Sequence, residues 1–216
     1  MGLPLLYKPV VSEFKDVREA SFDLETDEVV TVYASVCLWT QLVTPSSLND
    51  FMKCIKELDP SLMVVNEYEA CTDTLNFIDR FYGSLIYAMT VFDCLENCLK
   101  GDPLYWKIIE EFLRGVIRNI ITAEDEERIY WHAKIDFWRN LFAEFDMMEM
   151  ELSDVCKYQA KLLLKSNSSW NNCTLDMEGK CLIVGWKGTP LQSISAWKIN
   201  QIGNSEQQDD SPTVKS

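Results

Sequence analysis

The sequence predicts an α/β protein, and three observations predict it. A strand–helix–strand order opens the chain, long apolar-striped helices fill its middle, and an alternating hairpin pattern comes near its end. Residues 29–33 (VVTVY) are a short apolar, β-branched run that reads as a strand. Residues 34–42 continue it as a helix. Pro45-Ser46-Ser47 then punctuates, with a serine placed to cap a helix over 48–58. Asp59-Pro60 stops that helix, because proline cannot continue it and restrains the residue before it. Residues 62–66 (LMVVN) are a second strand, whose unbroken apolar character suits a parallel sheet covered on both faces. Strand, helix, strand in this order is a βαβ crossover. An open doubly wound sheet has about four strands or more. The sheet therefore reads as lacking its beginning, and the chain as the later part of a longer protein.

The middle is helical. Residues 74–99 place Ile78, Phe81, Tyr82, Leu85, Met89, Phe92 and Leu95 at three- and four-residue intervals, a broad stripe of the kind that usually forms a core and only sometimes a partner-binding groove. Gly101-Asp102-Pro103 breaks the run, and 104–122 repeats the pattern with Ile108, Ile109, Phe112 and Val116. A third helix over 131–145 carries Ile135, Trp138, Leu141 and Phe142. Residues 148–152 read as a strand, and 153–165 as a helix capped by Ser153. Residues 167–172 are a polar loop.

Two short strands follow, Cys181–Trp186 and 190–198, joined by Lys187-Gly188-Thr189. Side chains alternate along a strand, so Leu182, Val184 and Trp186 share a face of the first strand, and Leu191, Ser193, Ser195 and Trp197 share a face of the second. The two indoles are therefore expected to lie on one sheet surface and bury a large apolar area. Residues 1–199 form the domain. Residues 200–216, rich in Gln, Ser, Asp and Asn, have little to bury and read as a disordered tail.

Charge and composition exclude several functions. The chain carries 20 basic against 34 acidic residues, a net charge of −14. Binding a duplex requires phosphates to be neutralised by Lys and Arg, so autonomous DNA binding is disfavoured. There is no apolar run long enough to span a membrane and no signal-like N-terminus. The eight cysteines include no Cys-x-x-Cys, and with a single histidine they offer no zinc set, which leaves free thiols.

Candidate chemistry is sparse. The acidic run Glu124–Glu127 reads as a solvated loop, while Glu67 and Glu69 fall just past a parallel strand, where open α/β sheets hold ligands. His132 reads as a packing residue beside Trp131, and Arg80 as a structural cation inside its helix. There is no G-x-S-x-G, G-x-G-x-x-G or phosphate-binding loop. No catalytic set, metal or cofactor is expected.

Several stretches, taken in order, carry a resemblance. They are GLPLLYKPVVSEF with DEVVTVYASV, Pro60 with LMVVNEYEA, FIDRFYGSLIYAMTVFDCLE, IRNIITAEDEERIYWHAKIDFWR, QAKLLLK, and the hairpin ending in Ser195-Ala196-Trp197. In order and spacing they resemble the C-terminal blocks of the plant GRAS family, scarecrow-like in type, whose last block is named for that triplet. The chain departs at Glu124-Asp125 and Glu144-Phe145, where the family often carries a glycine.

The resemblance implies a partial Rossmann-like, methyltransferase-type sheet with flanking and cap helices. It implies a transcriptional regulator of the nucleus that works mainly through protein–protein contacts in plant development or signalling. Its partners would be other nuclear proteins, GRAS homo- or heterodimers among them, with DNA reached indirectly and no membrane. The alternatives are direct sequence-specific DNA binding and a methyltransferase-like enzyme. The residues expected to carry structure or interaction are Pro60, Arg80, Phe81, Tyr82, Trp138, Trp186, Ser195, Ala196 and Trp197.

Overall fold

The computed structural model describes residues 6–13, 16–43, 45–72, 74–98, 103–124 and 127–200. The expected tail beyond Asn200 lies outside the described residues, as do Asp125 and Glu126 of the acidic run and Gly101-Asp102 of the helix break.

Strand β1 (Thr31–Ser35) runs parallel to β2 (Leu62–Tyr68), joined through helix α1 (Pro45–Leu58). This is the expected crossover. Helix α1 starts earlier than the serine signal suggested, because proline suits a first helical turn, where its missing N–H leaves no bond unmade. The helix expected over 34–42 is a correction. Only a short 3-10 turn forms, at Leu38–Gln41. The chain first swings through Val36, at φ 50°, whose N–H donates to the carbonyl of Asn66. The backbone N–H groups of Cys37 and Leu38 then donate to Glu67 Oε1 at 2.9 and 2.6 Å. Bonds to β2 take the donors that a helix would have used internally.

Helices α2 (Phe77–Cys98) and α3 (Pro103–Thr122) pack against each other, with Phe92 edge-on to Trp106. Helix α4 (Ile135–Glu144) begins later than expected. Strand β3 (Met147–Met150) and helix α5 (Asp154–Ser166) follow, and Ser153 Oγ accepts from the N–H of Cys156 as the sequence suggested. The glycines absent at Glu124-Asp125 and Glu144-Phe145 leave α4 intact. It closes on Phe145 at φ −102°, and the left-handed turn falls on Asp146.

Strand β4 (Cys173–Glu178) was not foreseen, since CTLDME has neither clean alternation nor an apolar run. It forms a hairpin with β5 (Cys181–Trp186), which forms another with β6 (Thr189–Ile199). The sheet order is β1-β2-β6-β5-β4. Strand β6 is its axis. One edge of β6 pairs with β2, and the other pairs first with β5 and then with β3. Among the described residues β1 and β2 pair in parallel, and the other strand pairings are antiparallel.

The main core fills the space between one sheet face and helices α1 and α4. Met52 and Ile55 of α1, Met63 and Val65 of β2, Trp138 and Phe142 of α4, and Trp197 of β6 meet there. Helix α2 covers part of the other face, and α3 packs on α2. All eight cysteines are free. No helix among the described residues is long and apolar enough to cross a membrane.

Candidate functional site

The hairpin β5–β6 holds the triplet singled out in the sequence. Trp197 is 2% exposed, its ring lies 4.7 Å from that of Phe142, and its Nε1 donates to Ser195 Oγ at 2.8 Å. Ser195 therefore faces the core with Trp197, while Ala196 points the other way, opposite Val64 and Met150. Trp138 stands in the same core, 5.9 Å from Phe142. Pro60 is buried just beyond the left-handed Asp59.

The expectation that both indoles share one sheet surface is wrong. Without an irregularity, the Trp186↔Thr189 pairing would carry Trp197 onto the same face as Trp186. A bulge between Val184 and Gly185 inserts one residue into β6, so Gly185 opposes Pro190 while Val184 opposes Gln192. A one-residue slip turns every later side chain over. Trp197 thereby enters the α1–α4 core, and Trp186 stays on the α2 face, where its Nε1 donates to Asp93. Lys187 Nζ pairs with the same carboxylate at 2.7 Å, so Asp93 pins the hairpin tip to α2. Gly185 was the available signal, since glycine inside a strand marks a bulge or a close approach.

The stripe on α2 is the second correction. Its large side chains face outward: Phe81 is 37% exposed, Tyr82 59% and Met89 64%, with Ile78, Leu85 and Ile86 alongside. The buried face is Arg80, Ser84 and Ala88. Small residues let the helix sit close, and a Cβ on Gly83 would stand 2.5 Å from the carbonyl oxygen of Cys71. Periodicity located two faces on α2 but could not say which one met the sheet. Leu104, Tyr105, Ile108 and Phe112 extend the exposed apolar surface onto α3. Arg80 is 6% exposed. Its Nη1 donates to the carbonyl of Leu75 and its guanidinium lies over Phe77, within its own helix end.

At the C-terminal ends of β1 and β2, the two carboxylates are structural. Glu67 holds the N–H groups of Cys37 and Leu38, and Glu69 accepts from the N–H of Ile135. Burial pushes the Glu67 carboxyl up to about 7, against the pull of the N–H groups that hold it. The folded chain therefore binds this proton more tightly than the unfolded chain, which titrates near 4.5. The resulting stability is present below pH about 4.5 and lost as pH rises through about 7. Glu67→Gln should flatten that slope, which urea midpoints of both proteins at pH 5 and pH 8 would measure. An equal slope in the variant would contradict the assignment.

Beside the carboxylates lies an aromatic cluster that sequence reasoning missed. The Trp39 ring stacks on Tyr130 at 5.0 Å, and Tyr68 lies 4.5 Å from His132. These residues come from three separate segments, so no local pattern announces them. His132 is packed, as expected. Its main chain exchanges bonds with Thr72, whose Oγ1 accepts from its N–H at 2.9 Å.

Comparisons with known proteins agree with this fold. The profile of the GRAS domain family matches residues 1–198. The DELLA protein RGL1 of Arabidopsis thaliana is 30% identical over 205 residues, which span 94% of this chain and 39% of that protein. The GRAS family protein RAD1 of Lotus japonicus is 26% identical over 200 residues, spanning 92% of this chain and 39% of that one. The crystal structure of SCL7 in Oryza sativa superposes with a TM-score of 0.78 at 24% identity, covering 89% of this chain and 53% of its own. The chain thus spans about two-fifths of the length of these curated relatives. It belongs to the GRAS domain family, a family of plant transcriptional regulators.

Proposed function

We propose that this chain regulates transcription in the nucleus by holding other proteins on the outer face of α2, without catalysing a reaction, and that it reaches DNA through them. The observation that carries this is the outward apolar stripe of Phe81, Tyr82, Leu85 and Met89. Large contiguous apolar surface on a folded protein marks a contact site. Residues at three- and four-residue spacing on a helix suit an amphipathic partner helix laid alongside. The partner that fits is apolar on one side and basic at its edges, because the chain carries a net charge of −14. That charge also supports indirect rather than direct DNA contact.

The test is Phe81→Asp with Leu85→Asp. Both side chains are exposed, so the thermal midpoint should hold. A contact residue at the centre of such a face is worth roughly 2 kcal/mol, or about thirtyfold in affinity. With the chain fused to an unrelated DNA-binding domain in plant cells, the double variant should lose the reporter response at equal nuclear abundance. An undiminished response would sink the proposal. If the stripe instead joins two copies of this chain, sedimentation will show a dimer that the variant dissolves.

A further inference from the structure

A cavity of about 250 Å³ lies between the ends of β1 and β2 and the inner sides of α2 and α3. Its walls differ. Trp39, Tyr68 and Tyr130 present aromatic rings, while Val91, Leu95 and Leu113 present aliphatic surface. One polar group stands out in this lining. His132 is 3% exposed, and its Nδ1 has no hydrogen-bond partner among the described residues. A buried polar atom left unbonded costs free energy, and native structures almost always satisfy it. Here the unbonded nitrogen belongs to a ring that lines a cavity.

We propose that this cavity is a binding site for a small, flat, uncharged aromatic molecule carrying one hydroxyl, which stacks on the aromatic wall and completes the hydrogen bonding of His132. Convergent apolar and aromatic walls with a few polar groups among them are the ordinary make-up of a small-molecule pocket. The position, beyond the carboxyl ends of parallel strands, is where α/β sheets hold ligands. Charge argues for an uncharged occupant. The Arg128 guanidinium is close enough to add to burial in holding the His132 imidazole neutral, down to about 4, and it opposes a second cation. An anion would lose its hydration against the apolar and aromatic walls. The proposal stands apart from the reading of the outer α2 face, since it concerns the opposite side of that helix and its test uses no protein partner.

The probe is 2-naphthol, compared with naphthalene, titrated into the 216-residue chain and followed by quenching of indole fluorescence and by calorimetry. Saturable binding of 2-naphthol is expected, about three- to tenfold tighter than naphthalene, the worth of one hydrogen bond. His132→Phe should bring 2-naphthol down to the naphthalene affinity. Leu113→Trp, at a half-buried α3 position, should fill the cavity and abolish both without lowering the thermal midpoint. The proposal is overturned if the wild-type chain shows no saturable binding or does not prefer the hydroxylated probe. It is equally overturned if Leu113→Trp binds as well as the wild type, which would place the probes on exposed apolar surface. Seating of a partner protein's aromatic side chain in the cavity would show as competition by a tryptophan peptide with no preference for 2-naphthol over naphthalene.

Discussion

Trp197→Ala should lower the free energy of unfolding by about 3–5 kcal/mol, the usual cost of truncating a fully buried aromatic residue. The indole is 2% exposed and stands where β2, β3 and β6 meet the α4 helix. Removing it leaves a cavity against Phe142 and Trp138 that a six-stranded sheet cannot easily collapse to fill. It also strands Ser195 Oγ, whose partner is the lost Nε1. A domain of this size has a stability of roughly 5–15 kcal/mol, so this one change uses up a large part of it. Trp197→Phe keeps a ring in place and should cost much less. Urea denaturation of both variants measures the difference. Loss of under about 1 kcal/mol in Trp197→Ala would mean that the ring is not packed as described.

Gly185→Ala should cost about 1–3 kcal/mol, the range for forcing extra atoms into a packed site. A Cβ at this position would stand 2.7 Å from both Thr174 Oγ1 and the carbonyl oxygen of Thr189. The Thr174 hydroxyl can rotate aside, but the Thr189 carbonyl belongs to the hairpin backbone and can move only by opening the bulge. Opening it disturbs the register that separates Trp186 from Trp197. The expected signs are a lowered thermal midpoint and a shifted emission spectrum, because Trp186 and Asp93 part. A variant with unchanged stability and spectrum would show that the bulge does not depend on this glycine.

The sequence showed more of the fold than of its surfaces. The β1–α1–β2 crossover, the long helices, the Ser153 cap and the C-terminal hairpin were all legible, because each is written in local periodicity or in a capping residue. Strand β4 was not, because its pairing with β5 supplies what its composition lacks. The face of Trp197 was misread because alternation assumes an unbroken strand, and one inserted residue reverses it. The α2 stripe was misread for a related reason. Hydrophobic spacing identifies a face, yet Gly83, Ser84 and Ala88 decide by their smallness which side approaches the sheet. The aromatic cluster around His132 draws on residues scattered from Trp39 to His132 and exists only once the chain has folded.

Among the described residues strand β6 is the latest in sequence, and three others hydrogen-bond to it directly. During synthesis the chain emerges from its N-terminus, so β2, β3 and β5 leave the ribosome before the strand that joins them. Until Thr189–Ile199 has cleared the exit tunnel, they expose open edges of the kind that recruit chaperones or pair with neighbouring chains. Closure is then a single late event that ties segments far apart in sequence, a topology associated with slow folding.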